Sequence, residues 1–491
     1  MSLMKPTKTN IVAVLFLQLF AISTISISFC SGSSNVRCTQ REKQALLRFK
    51  QDLNIGNSLR IASWNGDGDC CTWAGVACDN FTGHVHKLNL RNPYDDSLSY
   101  AFMWSMLVGK FNTLLDLKHL SYLDLSGNYF EAVQFPAFLG SMRKLKYLNL
   151  SLCGFVGMIP HQLGNLSHLQ YLDLRPYYPS NLYVENSLWL SSLSLLKHLD
   201  MSGVDLSKAS DLLPVINTLP FLEVLQLSYC QLHHFPPLPT VNFSSLTKLD
   251  LSYNLFDNSL IPSWVFRLSH LMYLDLYYSN IQGPIPDGLQ NLTSLRYLAL
   301  SHNHLNSSIP NWLYKFIHLE YLCLYNNSLV GVISEDIGNM TSINWLDLSL
   351  NGLKGKIPKS MGRLCNLRMN ETKGMKILNL KNNQLFGELP DCWMNWKNLL
   401  VLNLGSNSFH GNFPNSLGML SSLQSLHLRR NSLSGGIPAS LKNSRDLNSL
   451  DIGENKFSGN VPMWIGETFT KLMILNLRII LMGSYQQNFA I

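Results

Sequence analysis

The residues best suited to chemistry in this sequence are four cysteines that lie close together near its N-terminus. They are Cys38, Cys70, Cys71 and Cys78. In an oxidising compartment such a cluster forms disulfides, which stabilise segments too small to build a core of their own. Four cysteines allow three pairings, and a bond between the adjacent Cys70 and Cys71 would be strained. Two pairings therefore stay open on spacing alone.

No group of residues predicts catalysis or a metal site. The sequence has no P-loop, kinase catalytic loop, GxSxG elbow or HExxH motif. His84 and His86 flank Val85, but two histidines do not make a metal site, and ordinary polar positions explain them better. We therefore predict a protein without catalytic residues, metal or cofactor.

Composition indicates a folded and exported protein. Of 491 residues, 46% are hydrophobic and only 14% are charged, so the chain can bury a large core. The basic residues behind the net charge of +7 are scattered, which argues against a nucleic-acid partner. Residues 1–32 carry Lys5 and Lys8, an apolar run from Ile11 to Ile22 and a serine-rich stretch, which together predict a cleaved secretory signal. No later stretch has the length of a membrane helix, so we expect secretion.

An internal repeat of about 24 residues organises the chain. Its pattern is LxxLxLxxNxL, and its first positions are Leu120, Leu145, Leu169, Leu196, Leu222, Leu246, Leu271, Leu295, Leu319, Ile343, Met375, Leu399, Leu423, Leu447 and Leu472. The alternating leucines predict one short strand per repeat, and stacked repeats then form a parallel sheet on the concave side. The ninth position is usually asparagine, whose buried amide can satisfy backbone groups at each turn. The predicted fold is an α/β repeat solenoid.

Asparagine glycosylation is the modification that the sequence supports. NxS/T sequons begin at Asn80, Asn149, Asn165, Asn242, Asn291, Asn306, Asn326, Asn339 and Asn370. Asn165, Asn242, Asn291 and Asn339 share one repeat position, so we expect their glycans along one flank. Asn149 lies between two strand leucines, and a glycan there would block the concave face.

Aromatic residues recur at the third repeat position, which should point from the sheet into solvent. They are Tyr122, Tyr147, Tyr171, Tyr273, Tyr297, Tyr321 and Trp345. Position eight adds Tyr229, Tyr253 and Tyr278. Interfaces favour such side chains, which predicts a ligand-binding face, although cross-strand stacking would explain the column equally well. We expect Tyr297→Ala and Trp345→Ala to weaken binding and leave the fold intact.

A second pattern, LxGxIP, follows the strands. Gly283 precedes Ile285-Pro286 in one repeat, and Gly355 precedes Ile357-Pro358 in another. Because proline cannot donate to a ladder, this segment should be a turn that interrupts the strands. The pattern resembles the plant-specific class of leucine-rich repeat, and implies a plant-type superhelix with a parallel concave sheet.

The N-terminal segment resembles the cap of plant receptor kinases, receptor-like proteins and polygalacturonase inhibitors. The resemblance rests on Ser63-Trp64-Asn65 and on the run from Cys70 to Cys78. Longer stretches, residues 117–126 and 193–209, are similar to receptor-like proteins of the xylanase-receptor and scab-resistance type. The resemblance implies an N-terminal disulfide cap in which Cys38 pairs with Cys70 and Cys71 with Cys78. It also implies a family that is located at the plasma membrane and faces outside.

Two segments depart from the repeat. The interval from Ile343 to Met375 leaves residues 367–374 as a loop or the remnant of a lost block, and residues 479–491 do not continue the pattern. We therefore expect a signal at 1–32, a cap at 33–80, solenoid at 81–366 and 375–478, and an aberrant tail at 479–491. Compared with its family the chain looks truncated, without a C-terminal anchor.

The leading functional prediction follows from this resemblance. It is the ligand-binding ectodomain of a plant cell-surface immune or developmental receptor-like protein. Such a protein would bind a peptide or protein ligand and signal only through a co-receptor kinase. The alternatives are a secreted inhibitor of a cell-wall-degrading enzyme and a non-functional truncated fragment.

Overall fold

The computed structural model describes most of the chain. The described residues are 36–54, 61–66, 68–92, 108–109, 112–130, 133–177, 179, 181–234, 237–257, 260–365, 374–391, 393 and 396–478. The predicted signal, the sequon at Asn370, most of the 367–374 segment and the tail lie outside these ranges.

One long sheet runs through the described part of the chain, with one short strand from each repeat. Neighbouring strands pair parallel and in register, as Tyr273–Asp275 does with Tyr297–Ala299. Only the first strand is antiparallel to its neighbour. The strands are Val76–Cys78, Val85–Asn89, Tyr122–Asp124, Tyr147–Asn149, Tyr171–Asp173, His198–Asp200, Val224–Gln226, Lys248–Asp250, Tyr273–Asp275, Tyr297–Ala299, Tyr321–Cys323, Trp345–Asp347, Ile377–Asn379, Val401–Asn403, Ser425–His427, Ser449–Asp451 and Ile474–Asn476. The predicted plant-type solenoid with its parallel concave sheet is confirmed.

A second set of short strands follows the first, and the sequence did not predict it. Six of them form a parallel sheet, namely Val330–Val332, Gly352–Gly355, Gln384–Glu388, Ser408–Asn412, Ser432–Gly435 and Lys456–Phe457. Two more parallel pairs are Gly157–Met158 with Leu182–Tyr183 and Gln282–Gly283 with His304–Leu305. A separate antiparallel pair joins Leu53–Asn54 of the cap to Val108–Gly109. The LxGxIP segment therefore begins as a short strand and continues as a turn. Gly283 takes a φ of +81°, and Pro286 then begins a helical turn.

The rest of each repeat is mostly a single turn of 3-10 helix. These turns are Cys70–Thr72, Asn112–Asp116, Ala137–Ser141, His161–Asn165, Leu188–Ser192, Val265–Arg267, Asp287–Asn291, Asn311–Lys315, Glu335–Asn339, Lys359–Cys365, Asn415–Met419 and Ala439–Asn443. The α-helices described are Gln40–Asp52, Leu212–Ile216 and Trp464–Thr468. None of the helices in the described residues has the length and apolar composition to cross a bilayer.

Asparagines at the ninth position join most repeats to the one before them, as their position predicts. Asn303 donates from Nδ2 to the carbonyls of Leu276 (2.7 Å) and Leu300 (3.0 Å). Its Oδ1 accepts from the backbone N–H groups of Ser279 (3.1 Å) and Ile281 (2.9 Å). One side chain therefore satisfies backbone groups in two repeats, which locks their relative position.

Cysteine replaces asparagine in two repeats, at Cys153 and Cys230. The Cys153 thiol donates to the carbonyl of Leu125 (3.1 Å), so it takes over part of the asparagine's role. Burial raises the pKa of both thiols well above the ordinary value. Both are inert core side chains, as the sequence indicates.

The N-terminal cap covers the first strand of the solenoid. The structure joins Cys38 to Cys70 and Cys71 to Cys78, the pairing that the resemblance implies. The rings of Trp64 and Trp73 stack 5.6 Å apart beneath the helix Gln40–Asp52. The cap therefore supplies the apolar cover that the first turn of a solenoid needs.

The long interval between Ile343 and Met375 does not break the sheet. Trp345–Asp347 pairs in register with Ile377–Asn379, and Asn383 donates to the carbonyl of Leu348 (3.0 Å) across the interval. The additional residues therefore leave the ladder of strands intact.

Candidate ligand-binding face

The predicted aromatic residues form two stacked columns on the concave face. In the first column, the ring centroids of Tyr122 and Tyr147 are 4.1 Å apart, and those of Tyr147 and Tyr171 are 4.2 Å apart. His198 extends this column at 4.1 Å from Tyr171. Val224 occupies the same position of the next strand and ends the column.

The second column contains Tyr273, Tyr297, Tyr321 and Trp345. The successive centroid distances are 4.0, 4.2 and 5.2 Å. The stacking arises because parallel strands in register place the third residue of every repeat side by side. The ring faces cover one another, so a ligand would meet mainly the ring edges and hydroxyls.

A lysine ammonium group lies over the first ring of each column. The Nζ of Lys87 lies 4.5 Å from the centre of the Tyr122 ring, and that of Lys248 lies 4.7 Å from the centre of the Tyr273 ring. These are cation–π contacts, and they reduce the apolar ring surface left for a ligand.

Asp275 receives hydrogen bonds from the edge of the second column. The hydroxyls of Tyr273 (3.1 Å) and Tyr297 (3.3 Å) both donate to its Oδ2. Burial, and then the nearby charge of Asp250, raises the pKa of Asp275 from 3.8 to about 6. Burial also raises the pKa of the Tyr297 phenol, so the column presents neutral hydroxyls.

A second aromatic group lies where the strands end. We call it the strand-end cluster, and its members are Tyr229, Tyr253, Tyr277, Tyr278, His302 and Tyr325. The ring centroids of Tyr229 and Tyr253 are 5.4 Å apart, and the Tyr277 ring lies 5.0 Å from Tyr253 and 5.1 Å from His302. His302 contacts the Tyr325 ring at 4.5 Å. Only three members were expected from the sequence, because Tyr277 and Tyr325 occupy position seven, outside the repeating aromatic positions.

The strand-end cluster is more exposed than the columns. Tyr229, Tyr253 and Tyr278 expose 51%, 43% and 49% of their surface. A cavity of about 330 Å³ opens beside the cluster, lined in part by Leu255, Tyr278 and His302. A volume of this order lies at the lower end of known ligand pockets.

The backbone of these tyrosines is in the left-handed region. The φ angles are +61° at Tyr229, +56° at Tyr253 and +50° at Tyr278. The same conformation recurs at this position of most repeats, with glycine at Gly127 and Gly203 and with other residue types at Leu152, His302, Asn326, Leu350, Asn382, Ser406, Arg430 and Glu454, so it belongs to the turn of the repeat. The exposure of the rings, and not the backbone conformation, distinguishes the tyrosines.

The described sequons differ in accessibility. The exposed asparagines are Asn80, Asn165, Asn242, Asn291, Asn306, Asn326 and Asn339. Asn165, Asn291 and Asn339 each end a 3-10 turn at the same place in the repeat. Asn326 hydrogen-bonds His302 of the strand-end cluster.

Asn149, the sequon between two strand leucines, is less accessible than the others. It is only 7% exposed, and its Oδ1 accepts from the backbone N–H (3.0 Å) and the hydroxyl (2.7 Å) of Ser151. The asparagine orders its own turn, and its burial makes it the least accessible of the described sequons.

Family models match several parts of the chain. The model described as leucine rich repeat N-terminal domain matches residues 39–79. The models described as leucine rich repeat match residues 244–305, 144–166, 318–340, 374–396 and 422–444. These matches correspond to the cap and to repeats of the solenoid.

Curated relatives are plant proteins. The receptor-like protein EIX1 of Solanum lycopersicum is 37% identical over 298 residues, which are 59% of this chain and 28% of that protein. The receptor-like protein 6 of Arabidopsis thaliana is 30% identical over 315 residues, or 58% of this chain and 30% of that protein. The matched region therefore covers less than a third of the length of each of these relatives.

Solved structures with the same fold include plant receptors. A TDR receptor has a TM-score of 0.67 and 27% identity, covering 83% of this chain and 66% of that one. The leucine-rich-repeat ectodomain of the Arabidopsis receptor kinase HAESA, in complex with an IDA peptide hormone, has a TM-score of 0.56 and 28% identity, covering 89% and 77%. By its cap, its repeats and these comparisons, the chain has the leucine-rich-repeat fold and is similar to the plant receptor-like proteins.

Proposed function

We propose that the chain is a recognition module that binds a peptide or protein ligand, as the ectodomain of a plant cell-surface receptor-like protein. The observation that carries this proposal is the strand-end cluster, in which exposed tyrosines lie together beside a cavity of about 330 Å³. Exposed aromatic residues that cluster on a surface are typical of binding sites. The peptide complex of the HAESA ectodomain supports the ligand class.

The chemistry of the surface suits a peptide. Tyr253 and Tyr278 offer apolar ring area with a hydroxyl at the edge, which serves both apolar side chains and backbone amides. The second column starts from Tyr273, only a few residues before Tyr278, so both surfaces are reachable by one extended ligand. We place the main contacts at the strand-end cluster and give the columns a secondary role, because stacking already covers their ring faces.

The proposal also includes the cellular location of the chain and its signalling partner. The two disulfides of the cap and the exposed sequons support passage through the secretory pathway. A co-receptor kinase remains our proposed signalling partner, in line with the receptor-like relatives. We propose no catalytic role for the chain.

The test uses the glycosylated chain secreted from plant cells. A phage-displayed library of random peptides is selected on it, and an enriched peptide is synthesised and titrated by calorimetry. Tyr253→Ala combined with Tyr278→Ala should weaken binding by about thirtyfold or more, since one hot-spot aromatic contributes about 2 kcal/mol. Lys359→Ala, an exposed change in the 3-10 turn Lys359–Cys365, is the matched control and should bind normally.

Two results would contradict the proposal. One is an enriched peptide that binds the double variant as tightly as the native chain, and the other is the absence of any enrichment over the unselected library. The selection is repeated on Asn326→Gln, so that a glycan beside His302 does not conceal the site. Inhibition of a polygalacturonase by the same preparation would favour the inhibitor alternative.

A further inference from the structure

Three side chains with metal-binding atoms converge where the cap meets the solenoid. Glu42 lies on the helix Gln40–Asp52, His84 immediately precedes the strand Val85–Asn89, and His119 lies just before the strand Tyr122–Asp124. In the sequence His84 neighbours His86, and that pair alone makes no metal site. The fold instead brings His84 to residues 42 positions before it and 35 positions after it.

The distances between these atoms suit a tetrahedral metal ion. Oε1 of Glu42 is 3.3 Å from Nδ1 of His84 and 3.7 Å from Nδ1 of His119. The ligand atoms of all three residues lie within 4.8 Å of one another. Zn²⁺ with bonds of about 2.0 to 2.1 Å requires ligand atoms about 3.3 Å apart. Small side-chain rotations therefore bring the three atoms to the corners of one tetrahedral face.

Two hydrogen bonds to its second oxygen fix the position of the Glu42 carboxylate. Its Oε2 accepts from the hydroxyl of Thr39 (2.8 Å) and from the backbone N–H of Val85 (3.1 Å). Such second hydrogen bonds orient metal ligands in known sites. The rings of His84 and His119 stack with centroids 3.7 Å apart, and each presents Nδ1 to the same carboxylate.

The electrostatics also favour a cation here. The Glu42 side chain is only 4% exposed, and its ion-pair partners among the described residues are these two histidines. A buried carboxylate is costly unless a positive charge compensates it, and neutral imidazoles do not. A divalent ion would compensate the charge with the histidines in the neutral form that coordinates metals.

We propose that Glu42, His84 and His119 bind one divalent transition-metal ion, with Zn²⁺ as the ion best suited to two imidazoles and one carboxylate. The His84 and His119 side chains are 33% and 38% exposed, so the fourth position faces solvent and takes water. The ion would connect the cap helix to the first two strands of the parallel ladder. Binding to the folded state alone would stabilise this junction.

The test is zinc titration of the full secreted chain after dialysis against a chelator. Calorimetry should give one site per chain, and the Tm should rise with zinc concentration. X-ray absorption at the zinc edge should show two imidazole ligands and oxygen. His119→Gln and Glu42→Gln should each weaken binding at least tenfold. Glu42→Gln keeps an acceptor for Val85, and circular dichroism verifies that each variant is folded.

His86→Gln is the matched control, since His86 lies two residues from His84 and outside the cluster. It should bind zinc like the native chain. The proposal is overturned if the native chain shows no single zinc site, or if zinc binding survives both Glu42→Gln and His119→Gln. Either result would mean that the cluster is no metal site, and that Glu42 and His84 only form a hydrogen bond while His119 stacks on His84.

Discussion

Replacing Tyr297 by alanine tests whether the aromatic columns hold the sheet together as well as face a ligand. The Tyr297 ring lies between two others, 4.0 Å from Tyr273 and 4.2 Å from Tyr321. The structure therefore changes the expectation that Tyr297→Ala leaves the fold intact. It removes the middle member of a stack and interrupts the column.

The magnitude follows from the contacts that are lost. Each stacked aromatic pair contributes about 0.5 to 1.5 kcal/mol beyond the buried area, and truncating a half-buried ring adds about 1 kcal/mol. We expect Tyr297→Ala to lower the local free energy of unfolding by about 2 to 4 kcal/mol. Tyr297→Phe keeps both stacks and loses the hydroxyl, which hydrogen-bonds Asp275 and the side chains of Tyr273 and Tyr321. Each such bond is worth about 0.5 to 1.5 kcal/mol. Tyr278→Ala, with a half-exposed ring and only tilted neighbours, should cost less than about 1 kcal/mol.

Native-state hydrogen exchange measured by mass spectrometry is the suitable assay, because a long repeat array need not unfold in one step. Amides of Tyr273–Asp275, Tyr297–Ala299 and Tyr321–Cys323 should exchange about 30-fold to 1000-fold faster in Tyr297→Ala. Amides of Ser425–His427, several repeats away, serve as the internal control. The reasoning is refuted if Tyr297→Ala and Tyr278→Ala accelerate exchange equally, or if Tyr297→Ala changes it less than Tyr297→Phe.

Three further predictions concern other parts of the structure. Asn303→Ala should lower the local free energy of unfolding of its own and the preceding repeat by about 2 to 4 kcal/mol, because it leaves buried backbone groups without partners. Hydrogen exchange measures this change, and the exposed Asn306→Ala should leave the same free energy almost unchanged. Cys38→Ser should destabilise the cap by about 4 kcal/mol, since the lost disulfide closes a loop of 32 residues, and limited proteolysis should then cleave the cap first. Asp275 has a raised pKa of about 6, so the folded state holds its proton more tightly than the unfolded chain. Its contribution to stability should grow by up to about 3 kcal/mol as the pH falls from 6 to 4, and Asp275→Asn should flatten this dependence in urea titrations.

The repeating features of the fold were predictable from the sequence because they depend on local periodicity. The strand leucines recur at fixed offsets, and one buried asparagine such as Asn303 does the same work in most repeats. The third-position aromatic residues stack because in-register strands give them no other arrangement. Each of these predictions needs only the position of a residue within its own repeat.

Other features depend on how separate segments meet, and the sequence pattern does not contain that information. The second strands are short, and some end at glycines such as Gly435, so they look like turns. Tyr277 joins the strand-end cluster only because neighbouring repeats bring their strand ends together. The approach of Glu42 to His119 requires the cap helix to dock on the solenoid at one angle.

The regular register of the concave sheet places equivalent side chains of successive repeats at a fixed spacing. Its strands are spaced by about 4.8 Å, whereas an extended peptide crossing them advances about 3.3 Å per residue. Three peptide residues therefore span about the same distance as two strands, close to 10 Å in both cases. Because the side chains of an extended chain alternate between its two faces, an extended ligand lying across the sheet would present every sixth side chain to the same position of every fourth repeat. The spacing of the protein's own strands would thereby select for ligands with a six-residue sequence period.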